Sequence, residues 1–461
     1  MGESLLDQRA DLQGLSTAIL LPSVDLFGAP VRGAVGPLTP IVGISLFQRA
    51  VLTFQRAGIR QLIVVAGAEE EALKHALGKG PRVTIPVRWM PIREFPLDDP
   101  RTWEALAAEA RGFCLVSGAT GIFSRALVEQ LRQDVQEGHA IVVAPGRPRP
   151  GTSQGDVGST RRLVESGTGE AADLVVLPVN ILNAAGSATR ESGTIPVRRW
   201  IEQAAATGRL RVCSTGSNQA QWYRAVRNSR DVRAAENQLF ASLKSDLEGF
   251  VDRYFNRILS RRFTRVFLSL GLSPNAVTML ATFVGLAAAA GFAMGTYAAG
   301  LTAAVLFQLA AVIDCSDGEI ARLTFTESPF GAWLDIAMDN VVHMAIFGGI
   351  AWGSYTAGSG DPYAWVPLVL GAAAILGNAL SFGLVGKAQK IKAANGWKTL
   401  AQAARSEFIL QNLASRDFSV IVLLFALVGR LEWFLWLAAI GSLTFAAIMF
   451  WVVRFSSTGR G

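Results

Sequence analysis

Cysteine and histidine are scarce in this chain, with three of each among 461 residues. Cys114, Cys213 and Cys315 lack both metal-ligand spacing and the density of a disulfide framework, which fits a reducing compartment. Charge is also sparse: 17% of residues are Asp, Glu, Lys or Arg against 51% hydrophobic, too apolar for an average soluble protein. The first residues contain no apolar segment of the kind a cleaved signal peptide needs. Leu6 stands where a myristoylation signal requires Ser or Thr. The net charge of +7 is not accompanied by a nucleic-acid reader motif, so no nucleic-acid partner is expected.

The apolar excess is confined to the second half. Residues 1–235 have ordinary soluble composition and read as an α/β domain. Short apolar, β-branched runs at 17–21, 61–66, 83–89, 112–116, 140–144, 173–179 and 210–213 alternate with helical patterns such as 44–57 and 123–136. Such alternation predicts a mostly parallel sheet covered by helices. Across 236–272 basic and apolar residues interleave at helical spacing. With Phe250, Tyr254, Phe255, Ile258, Phe263 and Phe267 on one side, 239–270 reads as an amphipathic helix lying on a membrane surface.

From residue 273 to 461, six membrane helices are expected, at about 275–295, 300–323, 331–353, 363–386, 417–431 and 433–454. Arg253, Arg257, Arg261, Arg262 and Arg265 precede the first of them. Lys387, Lys390, Lys392, Lys398 and Arg405 follow the fourth. The links after the first, third and fifth are poor in basic residues. Positive-inside logic therefore places both termini and the α/β domain on the cytoplasmic side of the cell membrane, the basic residues facing anionic lipid.

The chemistry is carried by Asp314-Cys315-Ser316-Asp317-Gly318-Glu319-Ile320-Ala321-Arg322, then eight residues, then Gly331-Ala332-Trp333-Leu334-Asp335-Ile336-Ala337-Met338-Asp339. Asp314 and Asp317 share a face near the end of the second membrane helix. Asp335 and Asp339 share one at the start of the third. A short loop makes these helices antiparallel neighbours, so four carboxylates can converge. Carboxylates there are costly unless a cation offsets them. All-oxygen ligation selects magnesium, manganese or calcium over zinc. Magnesium also binds phosphates, which points to a substrate carrying a pyrophosphate. Gly318 leaves room for a ligand, Ala321 and Gly331 permit close helix packing, and Arg322 suits a phosphate oxygen. The bland alternatives are snorkelling interfacial residues or an ion pathway.

These residues resemble the signature of the CDP-alcohol phosphotransferase family, D-x-x-D-G-x-x-A-R followed by G-x-x-x-D-x-x-x-D, at every fixed position. Pro274-Asn275 and Thr278 also resemble the family's Pro-Asn-x-x-Thr start of the first membrane helix. The resemblance, which covers about 273–455, implies a membrane enzyme that moves a phosphatidyl or similar phospho-alcohol group from a CDP-alcohol donor to an acceptor alcohol and releases CMP. It implies that Asp314, Asp317, Asp335 and Asp339 bind Mg2+ or Mn2+, with Asp339 also the general base. It further implies that Asn275, Thr278, Gly318, Ala321, Arg322, Ser328 and Gly331 line the CDP-alcohol site, and that the enzyme is a homodimer. His343 lies one turn beyond Asp339, where a packed histidine and a supporting role are both open. Arg416, before the fifth helix, has two readings: an acceptor-binding cation or a topology-setting charge.

The α/β domain resembles, mainly in architecture, the cytidylyltransferase half of fused inositol phosphate cytidylyltransferase and di-myo-inositol phosphate phosphate synthase enzymes. Only Gly28 precedes Arg32 where a glycine-rich phosphate loop belongs. Ile41-Val42-Gly43 stands where a lysine is expected after Pro40. No acidic residue follows the strand before Gly118-Ala119-Thr120, and Trp222-Tyr223-Arg224 lacks the expected Asp. An inactive nucleotidyltransferase-like domain is therefore expected. Two alternatives remain open: a bifunctional enzyme that makes its own CDP-alcohol, and a membrane transporter, although no internal repeat of the transporter kind is visible.

Overall fold

The short apolar runs of the first half become strands of one seven-stranded sheet in the computed structural model of the protein. The structure describes residues 14–22, 35–79, 81, 83–110, 112–135, 139–145, 174–180, 182, 204, 207, 209–215, 220–243, 257–395 and 418–457. The chain divides into two units, Met1–Ser242 and Leu243–Gly461.

In the first unit the strands are β1 Leu15–Leu21, β2 Pro40–Ile41, β3 Ile44–Ser45, β4 Gln61–Ala66, β5 Val87–Pro91, β6 Phe113–Gly118, β7 Gly121–Phe123, β8 Ala140–Pro145, β9 Leu174–Pro178, β10 Leu210–Thr215 and β11 Tyr223–Ala225. The large sheet has the order β10-β8-β9-β6-β1-β4-β5. β1 runs parallel to β4 and β6, β4 to β5, and β8 to β10, while β9 is antiparallel to both β6 and β8. A mostly parallel sheet must be covered on both faces, and its inner strands β1, β4, β6 and β9 are accordingly buried on both. Alternate residues of β4 serve two cores. Leu62 and Val64 meet Phe47, Phe54 and Leu127 on one side, and Ile63 and Val65 meet Trp103 and Leu106 on the other.

Helices α1 Leu46–Arg56, α2 Glu70–Gly78, α3 Pro100–Glu109 and α4 Arg125–Gln133 supply that cover. Two of the expected helices begin later than the apolar pattern suggests, because serine caps intervene. Ser45 accepts from the Gln48 amide at 3.2 Å and Ser124 from the Leu127 amide at 3.2 Å, each satisfying a free N–H of the first turn. The expected strand at 83–89 also shifts, to Val87–Pro91. Pro86 has no N–H to contribute to a ladder, so pairing starts after it. Burial pushes the Cys114 thiol on β6 up to about 12, which makes it a packing residue without thiolate reactivity.

The expected surface helix at 239–270 is described only at its two ends. Its first residues end α5 Ser229–Ser242, which belongs to the first unit, and its last part is α6 Arg257–Ser269. Residues 244–256 lie outside the described residues.

The second unit is helical: α7 Pro274–Ala293, α8 Tyr297–Thr324, α9 Pro329–Ala357, α10 Val366–Asn395, α11 Phe418–Val428 and α12 Leu431–Ser457. Five of these, all but α11, are long and apolar enough to cross a membrane. The sixth expected span is thus not reached among the described residues. α11 has 11 residues and ends at Gly429, whose φ of 69° takes the left-handed conformation that glycine allows at a helix end. Eleven residues rise only about 16 Å, roughly half a hydrocarbon core.

Close approach of α7 and α9 depends on Gly349 and Gly353, four residues apart on α9. A Cβ on Gly349 would strike the carbonyl of Ala289, and one on Gly353 the carbonyl of Phe292. This small-xxx-small spacing lets two backbones touch. Gly349→Leu is expected to cost about 1–3 kcal/mol through forced separation of these helices. Thermal scanning by size exclusion in detergent would read it as a lower midpoint for the monodisperse species, and an unchanged midpoint would contradict the packing.

Candidate active site between the second and third membrane helices

Three helices meet at the acidic motif. α8 carries Asp314 and Asp317, both buried, to the last third of its length before Phe325 ends it in the left-handed conformation with φ 61°. The Phe325 and Thr326 amides both close onto the Ala321 carbonyl, the latter at 2.9 Å, so Ala321 anchors the turn out of the helix. Ser328 then caps α9, its Oγ accepting from the Gly331 amide at 2.9 Å, and Pro329 opens the first turn. The return brings α9 back against α7, on which α8 also packs, rather than tightly onto α8 itself as the spacing suggested, and Asp335 comes within reach of the first pair.

One carboxylate oxygen from each of Asp314, Asp317 and Asp335 lies within 4.8 Å of the others. Asp335 Oδ1 is buried without a hydrogen-bond partner. Three carboxylates this close repel one another when ionised, and an orphaned buried oxygen among them has the chemistry of a cation ligand. The donor set, all oxygen, fits a hard divalent ion such as Mg2+ or Mn2+. Asp339 is not one of the three. It sits one helical turn beyond Asp335, partly exposed, on the same side of α9.

The other expected site residues form small groups around this centre. Thr278 on α7 donates its hydroxyl proton to Asp317 Oδ2 in a short hydrogen bond and is itself buried. Gly331 faces both Ser328 and Asn275: a Cβ there would lie 3.1 Å from Ser328 Oγ and 3.2 Å from Asn275 Oδ1. Asn275 of α7 thus stands at the amide-rich N-terminus of α9, where the helix favours a negative group. A Cβ on Gly318 would lie 3.2 Å from Arg322 Nη1, so the glycine leaves space beneath an exposed guanidinium. Arg416 lies outside the described residues. His343 packs edge-on against Phe307 and Phe418, with centroids 6.1 and 5.0 Å away, in an aromatic cluster.

A description of the CDP-alcohol phosphatidyltransferase family matches residues 271–453. That stretch is a CDP-alcohol phosphatidyltransferase domain. Every residue of the site described above falls inside it. A bifunctional IPC transferase and DIPP synthase of Rubrobacter xylanophilus is 28% identical over 367 residues, covering 75% of this chain and 78% of that protein. Three quarters of the chain is more than the membrane unit contains, so the likeness extends into the α/β unit. A phosphatidylinositol phosphate synthase of Streptomyces avermitilis is 35% identical over 119 residues, 26% of this chain and 46% of that one. Among solved structures, the inositol-1-phosphate CTP transferase of T. maritima is similar at 14% identity, covering 50% of this chain and 97% of that one, with a TM-score of 0.37.

The phosphotransferase domain also holds residues that the sequence reading missed. Glu319, between Gly318 and Arg322, is buried and bonded to two hydroxyls of α6. Asn378 of α10 donates to Asn340 Oδ1 at 3.1 Å, next to Asp339. Buried polar pairs within apolar helices are the signal that could have singled out the first, since Glu319 stands in a membrane helix with no cation one turn before it.

In the α/β unit, the end of β6 carries no carboxylate. Ser117 Oγ donates to the Gly118 carbonyl at 2.8 Å, and Ala119 is buried. Tyr223 of β11 packs on Gly121 of β7, where a Cβ would lie 2.6 Å from its hydroxyl. Among the described residues, the group of acidic, histidine or cysteine side chains able to hold a metal is the one in the phosphotransferase domain. The segment around Gly28 and Arg32, where the glycine-rich phosphate loop is expected to be missing, lies outside the described residues.

Proposed function

We propose that the chain transfers a phospho-alcohol group from a CDP-alcohol to the hydroxyl of a second alcohol, in a metal-dependent reaction that releases CMP. The observation that carries this reading is the meeting of Asp314, Asp317 and Asp335 around the partnerless Asp335 Oδ1, at the family's signature positions. Mg2+ or Mn2+ bound by these residues, with Asp339 at the edge of the set, would neutralise charge on the pyrophosphate and on departing CMP. Asn275 and Thr278 hold the nucleotide side of the donor. Arg322 and the capped N-terminus at Ser328 and Gly331 hold its phosphates. Asp339 accepts the proton of the acceptor hydroxyl. That oxygen bonds to the β-phosphorus, and the bond from β-phosphorus to the bridging oxygen breaks to leave CMP.

The names of the relatives favour an inositol-type acceptor and a lipid donor, and the five apolar helices suit a donor that reaches the site from the bilayer. The same reading includes a cell-membrane location with the α/β unit on the cytoplasmic side, a homodimer, and Arg416 as a cation for the acceptor. Membranes containing the protein, supplied with CDP-diacylglycerol and inositol phosphate, are expected to yield CMP and a new inositol phospholipid by mass spectrometry. Equal yields from Asp339→Asn membranes would refute the assignment.

For residues 1–235 we propose a nucleotidyltransferase-like domain without cytidylyl transfer activity, supported by the missing carboxylate at the end of β6. A bifunctional enzyme is the second reading, favoured by the long alignment with a relative named as bifunctional. The full chain given CTP, Mg2+ and inositol phosphate is expected to release no pyrophosphate. Sustained release would establish the second reading.

A further inference from the structure

Three carboxylates on α8 are buried: Asp314 at 7% exposure, Asp317 at 5% and Glu319 at 5%. The reaction outlined above uses the first two and gives Glu319 no task. On a helix, Glu319 lies about 140° round from Asp314 and about 160° round from Asp317, so it points away from the metal cluster. It points at α6. Ser260 donates to Glu319 Oε1 at 3.1 Å and Thr264 donates to Oε2 at 2.7 Å. Both hydroxyl residues have 0% exposure. Ser316, three residues before Glu319 and also fully buried, places its Oγ 3.3 Å from the Ser260 carbonyl. Phe267 completes the buried stripe of α6, against Val277, Ile313 and Ile320.

A carboxylate in an apolar helix is costly, and polar contacts are kept there when they fix geometry. Hydrophobic burial is non-directional and specifies helix height and rotation less sharply than hydrogen bonds do. Two hydroxyls on one carboxylate define both the height and the rotation of the helix. We propose that Glu319, clamped by Ser260 and Thr264, is a positioning residue that sets how α8 presents Asp314 and Asp317 to the metal. In this account α6 is part of the active-site scaffold as well as a surface helix. The inference rests on the proposed metal-dependent function.

The test is Mn2+ binding to the full chain in detergent, without substrate, followed by electron paramagnetic resonance, alongside the Mn2+ dependence of CMP release from CDP-diacylglycerol. Glu319→Ala is expected to weaken Mn2+ binding about tenfold, the lower end of the effect of losing a group that orients metal ligands. The Mn2+ requirement for turnover should rise by the same factor while KM for the donor stays put. Thr264→Val keeps the side-chain shape but removes one hydroxyl, and should shift both readouts in the same direction by less. Glu319→Gln can still bond both hydroxyls and should restore near-normal binding. If Glu319→Ala gives no folded protein, the comparison of Thr264→Val with Glu319→Gln decides the matter. Monodisperse variants that all bind Mn2+ like the unsubstituted chain would overturn the clamp. Absence of Mn2+ binding by the unsubstituted chain would instead strike at the proposed function, and the clamp with it.

Discussion

Asp339→Asn is expected to reduce CMP release about 10³-fold, within the usual range for loss of a general base. The substitution keeps size and hydrogen-bonding shape but removes the capacity to take a proton. Because Asp339 lies outside the three-carboxylate cluster, the variant should still bind Mn2+ with at least part of its normal affinity. Binding of the CDP-alcohol should also survive, since Asn275, Thr278 and Arg322 are untouched. The measurement is single-turnover CMP formation at saturating metal, with donor affinity determined separately. A variant that turns over at the normal rate would remove Asp339 from the chemistry.

The second large effect is expected at Asp335. Asp335→Asn takes away a negative charge beside Asp314 and Asp317 and replaces the partnerless oxygen by an amide or by a weaker neutral ligand. Loss of one carboxylate from a hard-metal site leaves too little charge to hold the ion at ordinary concentrations. Activity should fall by about 10³-fold at millimolar Mg2+, about 4 kcal/mol of transition-state stabilisation. It should recover in part at high Mn2+, which Asp339→Asn should not do. Chelation of the unsubstituted enzyme should reproduce the loss and readdition of metal should reverse it. The two variants therefore separate metal binding from proton transfer. Equal rescue of both by Mn2+ would argue that they share one role.

The strongest features were legible because they depend on short-range spacing. Intervals of three and four residues between aspartates place each pair on one helix face. The eight residues between Arg322 and Gly331 leave room for little except a turn. Antiparallel helices and a shared acidic site follow from those facts alone. The mostly parallel sheet was legible for a similar reason: strands buried on both faces read as continuous apolar runs. What the spacing could not reveal was side-chain partnership across distant segments. Glu319 occupies a variable position of the motif, and its donors lie on α6, 55 and 59 residues earlier in the chain. Gly349 and Gly353 read as ordinary glycines of an apolar helix until α7 is seen against them. Asp339 is a case in which spacing and geometry answer different questions. Four residues put it on the face of Asp335, while the tight cluster of three carboxylates is formed without it.

The helix count and some boundaries were harder for reasons of local chemistry. Hydropathy around 417–431 is high enough for a span, but among the described residues the helix runs only from Phe418 to the turn at Gly429. Apolar residues at 44 and 123 suggested helix where Ser45 and Ser124 act as caps, and Pro86 displaced the start of β5.

Metal-dependent transfer requires that α8 and α9 jointly hold a cation. A structure of the full chain with Mn2+, with anomalous scattering recorded at the manganese edge, tests this most directly. The predicted result is a peak bounded by Asp314, Asp317 and Asp335, with Asp335 Oδ1 among its ligands. Anomalous signal elsewhere, with these three side chains directed apart, would contradict it.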